Sequence, residues 1–594
     1  MAIQVRTSGI TIEASGEVVA GAPLKLRPRG QPAKPATRGA PRTRGAAPAQ
    51  AVLSEQDAIV AAFGEQQLDL VEAIPLEAPT AGTPRARGAA PRGVGPHGDV
   101  RINVPVRKDE TAVVLVERDG VYEWILDGEQ GAPPATTPPA PRSRGATRAV
   151  PAFHRTLSFS ISLPPAAAPA KPAGPATRGA VSDALLKMVG GKVVAYVFRF
   201  VMGKAVKGLT KLLERSVREG LVHINSLDPA SWPTLADDAS LPLPQDRAAR
   251  VLLLVHGTFS STLGSYGALA AHPDGQALLR AALAHYDLII GWDHRTLSAL
   301  PSDNAIDIVA RLERIGFKQP PQVDAVAYSR GGLVFRSLVE QMLPSSPLKI
   351  DLQRAVFVAC TNGGTELARA ENWSRFADRY LNVAAAGARA LALVPGFNAA
   401  STVLSAAIRG VAVLVKAIAS AAITDEGIPG LAAMDPAGNF VREINEKQDG
   451  QPTPENSFYC VVTSTFDTSK AANTDPSVMS PSLLLKLGDH ATDSLYGKPN
   501  DLVVHVESMT QIDVDSGSFV DDKLDFGANG HVHHCNYFAQ PETAQALLKW
   551  FRLPQAATSR SRPALPRKAV VKKAVKKSTG RVAKQTSRAP RRGK

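Results

Sequence analysis

Cysteine is scarce in this sequence: Cys360, Cys460 and Cys535 are three residues among 594, an odd number at wide spacing. That pattern argues against a disulfide framework and against a thiolate metal site, and a cytoplasmic setting is expected. The opening MAIQVRTSGITIEASG lacks a basic segment followed by an apolar one, so no secretory leader is expected. A long uncharged apolar run is missing as well. The most apolar stretch, 401–423, carries Arg409 and Lys416 in its interior, which favours a packed amphipathic helix over a membrane span. Most of the chain also lacks a charge excess. There are 68 Lys and Arg against 54 Asp and Glu, and fourteen of the basic residues sit in 559–594 without one acid. The other 54 basic residues balance the 54 acidic ones, so any affinity for polyanions belongs to that tail alone.

Glycine and proline are abundant, 47 and 46 residues, which signals linkers between compact parts. Spacers rich in Pro, Ala and Arg cover 27–50, 78–98, 131–151 and 164–180, and Arg-Gly-Ala recurs at 38–40, 44–46, 87–89, 144–146 and 178–180. The irregular spacing marks low complexity and not a solenoid, and such composition buries too little apolar surface to offset chain entropy. Strand signals lie between the spacers. Residues 111–126, TAVVLVERDGVYEWIL, read as a hairpin in which Asp119-Gly120 supply positive φ. Residues 153–163 alternate apolar and polar, and with 3–26 and 99–106 they predict a small antiparallel β-region within 1–180. Over 181–222, Leu185, Val189, Val193, Val197 and Val201 follow i, i+4 steps among Lys192, Arg199, Lys204, Lys207 and Lys211. That spacing predicts a helix packed on the following domain, with a membrane-surface helix as the alternative, and hence a helical connector over 181–249.

From 250 the pattern changes to alternating apolar strands and helices: strands at 250–257, 286–294, 322–328, 354–360 and 457–466, and helices at 302–316 and 331–343. Apolar strands separated by helices predict an α/β domain over 250–556, a mainly parallel sheet covered by helices on both faces. An Ala- and Leu-rich helical insertion at 376–424 interrupts the series, and the Lys/Arg-rich tail at 557–594 is expected to be disordered.

In VDAVAYSRGGL, Ser329 stands between Ala327 and Gly331. Small residues two before and two after a serine are needed where a strand turns sharply into a helix with the hydroxyl at the apex. In a chain this rich in Ala and Gly the pattern arises by chance on the order of once, so the context decides. Val323, Ala325 and Val326 lead in as a strand; Leu333, Leu338, Val339 and Met342 lead out as a helix. Ser329 is therefore the candidate nucleophile. Upstream, VLLLVHGTFSS ends a strand in His256-Gly257, a turn able to aim the amides of Thr258 or Phe259 at an oxyanion, with the amide of Arg330 as second donor. A nucleophilic serine needs a base, and the base needs an orienting carboxylate, in the chain order Ser, acid, His. Asp501, in KPNDLVVHVES, is the first choice of acid and Asp467 the second. The base is expected among His531, His533 and His534, with His505 as a rival inside the Asp501 strand. No regular i, i+4 His pair or cysteine cluster accompanies these histidines, so no metal is expected.

With these residues in place, 250–552 resembles the lipase/esterase branch of the α/β-hydrolases, nearest to a largely uncharacterised bacterial lipase-like family. The matching signatures run from His256 to Ser261, Ala327 to Leu333, Thr361 to Thr365, Asn500 to Val504 and His534 to Phe538. The resemblance implies a triad of Ser329, Asp501 and His534, no cofactor, a cap formed by 376–424, and a carboxylic ester substrate with an apolar acyl part. Ala327 stands where the elbow often has Gly, and Tyr328 precedes the serine where lipases often have His. An alternative reading is a catalytically silent hydrolase fold acting as a scaffold, with the tail 559–594 attaching it to nucleic acid or an anionic membrane surface. The tail has no aromatic residue for base stacking, so sequence-specific recognition is not expected.

Overall fold

The computed structural model describes residues 2–14, 19–24, 55–77, 98–126, 153–163, 193–201, 214, 217–236, 239, 241–395, 397, 399–419, 428–446, 457–471, 474–491, 497–512 and 520–554. The four spacers between the N-terminal strands lie almost wholly outside these residues, and the basic tail lies wholly outside them. Residues Met1–Pro554 make one compact unit.

Its N-terminal part contains two antiparallel sheets. One has the order β1-β2-β5-β8, from β1 (Ala2–Val5), β2 (Thr11–Ala14), β5 (Gly98–Val106) and β8 (Arg155–Leu163). The other has the order β3-β4-β9-β6-β7, from β3 (Val19–Ala20), β4 (Asp69–Glu77), β9 (Val193–Val201), β6 (Glu110–Arg118) and β7 (Val121–Ile125). Ile102, Val104, Phe159 and Ile161 of the first sheet share a core with Ile74, Val114, Ala195 and Val197 of the second. The outer face of the first sheet is polar along β2, β5 and β8, so those strands alternate in sequence, and Ser158 donates to Asn103 on that face; β1 adds the exposed Ile3 and Val5 at its edge. The second sheet is buried on both sides. Its far face (Val113, Leu115, Trp124, Tyr196, Phe198) packs on Phe63 of helix α1 (Glu55–Glu65) and on the helices that follow the nucleophile.

Double burial corrects one expectation. The helix read over 181–222 is strand β9 in its described part, and Gly220–His223 form another strand, β10. The i, i+4 spacing of Val193, Val197 and Val201 is also an even spacing, which keeps residues on one face of a strand. Continuous β-branched and aromatic residues, VVAYVFRFV, are what a strand covered on both faces requires. Residues 181–192 and 202–213 lie outside the described residues. The hairpin at 111–126 forms with Asp119 and Gly120 at φ 52° and 75°, the positive pair that a tight two-residue turn needs. Helix α1 and strand β4 occupy a stretch to which the sequence reading assigned no element.

The C-terminal part is built on a seven-stranded sheet ordered β10-β12-β11-β13-β14-β15-β16. Its members are β10, β11 (Arg250–Val255), β12 (Leu288–Asp293), β13 (Gln322–Tyr328), β14 (Asp351–Val358), β15 (Phe458–Phe466) and β16 (Val520–Asn529). Only β10 is antiparallel to its neighbour. Helices α2 (Pro273–His285) and α7 (Pro541–Trp550) bury Leu278, Leu279, Leu547 and Leu548 on one face, against Leu252, Leu254 and Val326. On the other face α3 (Pro301–Ile315) and α4 (Gly331–Arg336) bury Ala305, Ile308, Leu312 and Phe335 against Val251, Leu253 and Phe357. Helix α3 ends at Gly316 with φ 71°, the left-handed cap its sequence position suggested. Beyond α4 the chain continues as a π-turn over Ser337–Met342. The insertion after β14 consists of two long helices, α5 (Trp373–Ala392) and α6 (Ala400–Ala419), and 420–427 lie outside the described residues. Among the described residues, no helix is long and apolar enough to cross a membrane.

Candidate active site

Strand β13 delivers Ser329 to the C-terminal edge of the sheet, between two parallel neighbours. Its backbone has φ 54°, a conformation costing of order 1–3 kcal/mol for a residue with a side chain. The turn is locked by main-chain bonds: Ser329 N donates to Val358 O at 3.0 Å, and Gly332 N to Ser329 O at 3.0 Å. The need for glycine at 331 is visible in the packing. A Cβ there would lie 2.3 Å from Val255 O, because helix α4 starts directly against the end of β11. The hydroxyl is thus presented at the tip of a strained strand-to-helix turn, as the spacing of small residues implied.

The imidazole of His534 completes the arrangement. Its Nε2 lies 2.9 Å from Ser329 Oγ and its Nδ1 2.8 Å from Asp501 Oδ2. All three side chains are buried. Asp501 sits in the loop between β15 and β16, and His534 follows β16. The Asp501 carboxylate accepts from Val503 N (3.0 Å) and Val504 N (2.8 Å) on Oδ1, and from Tyr537 Oη (3.1 Å) and His534 on Oδ2. These donors replace the water that burial removes. His534 N also donates to Asp501 O at 3.0 Å, and Tyr328 Oη donates to His534 O, so backbone and ring are both fixed. Tyr328, which replaces the histidine common at that position, has this use.

The other sequence candidates are placed elsewhere. Asp467 caps a surface turn, its Oδ1 accepting from Ser469 N at 2.9 Å. His531 is exposed, and His505 stands at the start of a short helix. His533 is buried beside Phe466, and desolvation lowers its pKa to about 3. The three neighbouring histidines therefore face three different surroundings.

Of the three expected oxyanion donors, two remain available. Among the described residues the amides of Thr258 and Arg330 have no acceptor in the protein. The amide of Phe259 is already engaged, donating to Thr296 Oγ1 at 3.3 Å, and drops out of that role. The peptide plane carrying the Thr258 amide is set by His256, whose Nδ1 lies 2.9 Å from Gly257 O, while its Nε2 accepts from His294 N at 3.2 Å. His256 stacks on His294 at 4.1 Å, and burial holds both pKa values below that of free imidazole.

Two groups behind the turn were not anticipated in the sequence. The guanidinium of Arg330 is wholly buried and donates to Gly430 O (3.0 Å), Asn304 Oδ1 (2.9 Å) and Ala299 O. Burial lowers its pKa to about 10, with Glu214 and Asp303 opposing. Glu214 accepts from the amides of Thr296, Leu297 and Ser298 at 3.1, 3.0 and 2.7 Å. Together they anchor the 296–300 loop that supplies Thr296. The sequence singled out Arg330 only for its amide and Glu214 not at all, so no sequence signal pointed to this anchoring.

A family model described as a domain of unknown function, DUF7379, matches residues 219–552, more than half of the chain. The chain belongs to the DUF7379 family. Residues 21–200 of this DUF7379 protein, which hold strands β4 to β8 and most of β9, match a second domain of unknown function, DUF7362. No curated protein matches the chain in sequence. Among solved structures it is similar to lipase 1 from Pelosinus fermentans, at 14% identity and TM-score 0.33 over 52% of this chain and 97% of that one. It is similar to a thermophilic esterase from Thermogutta terrifontis, at 14% identity and TM-score 0.29 over 51% and 90%. A third is phospholipase PlaB from Legionella pneumophila, at 15% identity and TM-score 0.26 over 44% and 46%. The fold itself, a mainly parallel sheet covered by helices on both faces with a strained strand-to-helix turn at Ser329, is that of the α/β-hydrolases.

Proposed function

We propose that this chain is a serine hydrolase of the esterase/lipase type that cleaves a carboxylic ester through an acyl-enzyme. The observation that carries the reading is the buried chain Ser329 Oγ, His534 Nε2, His534 Nδ1, Asp501 Oδ2, with links of 2.9 and 2.8 Å and the serine at φ 54°. In the first step Ser329 Oγ attacks the ester carbonyl carbon while His534 Nε2 takes its proton. Asp501 holds Nδ1–H and stabilises the imidazolium. The carbonyl oxygen becomes an oxyanion that accepts from the amides of Thr258 and Arg330. His534 then gives the proton to the departing alkoxide, and water repeats the sequence to release the acid.

Helices α5 and α6 act as the cap in this reading. Phe376 and Tyr380 pack on Phe259 at the oxyanion turn, and α6 buries Leu404, Ile408, Val411 and Val415. An apolar cover of this kind suits an apolar acyl chain. A fluorophosphonate probe is expected to label the wild-type protein and to leave Ser329→Ala unlabelled, with hydrolysis of p-nitrophenyl butyrate lost in parallel. Folded wild-type protein that takes up no probe would refute the proposal.

A further inference from the structure

The turn that carries the Thr258 amide is itself under strain. Phe259, a bulky residue, has φ 55°, which its own side chain disfavours. Reversal of the peptide between residues 258 and 259 is the short route to relief; it would turn over the Thr258 carbonyl and the Phe259 amide and reset the backbone of Thr258, whose own amide sits in the preceding peptide. Three contacts oppose that reversal, and two come from the helical insertion. Tyr380 of α5 donates its hydroxyl to Thr258 O at 2.9 Å, so the carbonyl of this peptide is held from one side. Thr296 Oγ1 accepts the Phe259 amide from the other side. Gly410 of α6 lies so close that a Cβ there would stand 2.6 Å from Phe259 Cα. The ring of Tyr380 also meets Phe259 edge-on at 5.0 Å, and its hydroxyl lies against the thiol of Cys535.

Helix α5 is in turn fixed by the N-terminal sheets. The free edge of β7 is paired by side chains: Tyr122 N donates to Asn382 Oδ1 (2.8 Å), Asn382 Nδ2 to Tyr122 O (2.7 Å), and Trp124 N to Asp378 Oδ1 (2.7 Å). Arg389 adds a two-pronged bond to Glu55 at 2.8 and 2.6 Å. Asp378 and Asn382 flank Tyr380 on the same helix, so the contacts that seat α5 on β7 also fix the height of the Tyr380 hydroxyl.

We infer that Tyr380 is a positioning residue for the oxyanion turn, carried into place by a helix that docks on the edge strand of the N-terminal sheets. The inference rests on the reading of Ser329 as nucleophile and Thr258 as oxyanion donor. Its test is Tyr380→Phe in the full-length chain, which keeps the ring contacts and deletes only the hydroxyl. Removal of an oxyanion donor itself costs about 100- to 1,000-fold in kcat. Loosening the turn is expected to lower kcat about tenfold or more, leave KM within about twofold, and weaken a trifluoromethyl ketone inhibitor in proportion to kcat/KM. A residue needed for packing alone would not separate kcat from KM in this way. Thr296→Val acts on the same peptide from its other side and should give the same pattern; it decides the matter if Tyr380→Phe does not fold. Probe-reactive wild type together with folded variants of unchanged kcat overturns this inference alone. Wild-type protein that neither turns over nor takes up the probe overturns the hydrolase reading and this inference with it.

Discussion

At the residue scale, the geometry around Asp501 makes a sharp distinction between carboxylate and amide. Oδ1 is claimed by two backbone donors, Val503 N and Val504 N, so in Asp501→Asn the amide oxygen must take that side. The NH2 then faces His534 Nδ1 and forces the tautomer with the proton on Nε2, pointing at Ser329. We expect kcat for p-nitrophenyl butyrate to fall about 10,000-fold with the fold retained, as the wrong tautomer does in serine triads. A variant within tenfold of wild type would show that Asp501 does not orient the base. The strained strand-to-helix turn at Ser329 was legible in the sequence because strand, turn and helix each leave a local pattern. Among the histidines, residue spacing left the base open, and only the resemblance singled out His534. The reason is physical: His531, His533 and His534 are adjacent in sequence, and what separates them is burial and aim. Tyr380 and Glu214 left no trace, because a tyrosine within an amphipathic helix and an isolated glutamate look like ordinary packing and ordinary surface.

At the element scale, α6 presses glycine, not alanine, against the turn at Phe259. An alanine inside a helix is favoured over glycine by about 1 kcal/mol, whereas overpacking a tight contact costs about 1–3 kcal/mol. The neighbour at 410 is the main chain of Phe259, which cannot rotate aside, so the clash outweighs the propensity gain. Gly410→Ala should therefore lose about 1 kcal/mol in urea denaturation and turn over at least tenfold more slowly. A more stable variant with full activity would contradict this seating of α6. Strands β11 and β13 and helix α3 were readable to within two residues, the strands as short apolar runs ending at a turn and the helix by its amphipathic period. Strand β9 was not. A strand buried on both faces has no polar alternation to report, and even spacings at i, i+4 fit a helix and a strand equally well.

At the scale of the whole molecule, three imidazoles, His256, His294 and His533, are buried as neutral groups. Burial depresses each folded-state pKa below the 6.5 of free imidazole. Below pH 6.5 the unfolded chain binds protons that the folded chain refuses, so stability is complete above that pH and declines as pH falls, for His533 down to about pH 3. The slope is about 1.4 kcal/mol per pH unit for each such group. Urea midpoints are expected to drop steadily from pH 7 to pH 5.5, and less steeply in His533→Gln. A flat profile would mean that these rings charge freely in the folded protein.

The second N-terminal sheet has a temporal consequence. Its outer face, with Tyr196, Phe198 and Trp124, is covered by α1 and by α5 and α6, yet those last two helices are encoded about two hundred residues after β9. At ribosomal speeds that interval is on the order of ten to forty seconds. During it the newborn sheet presents an aromatic surface that α1 covers only in part, and Asn382 and Asp378 have yet to reach the open edge of β7. Until α5 and α6 emerge, shielding of that face falls to α1, and the same two helices then finish the β-region.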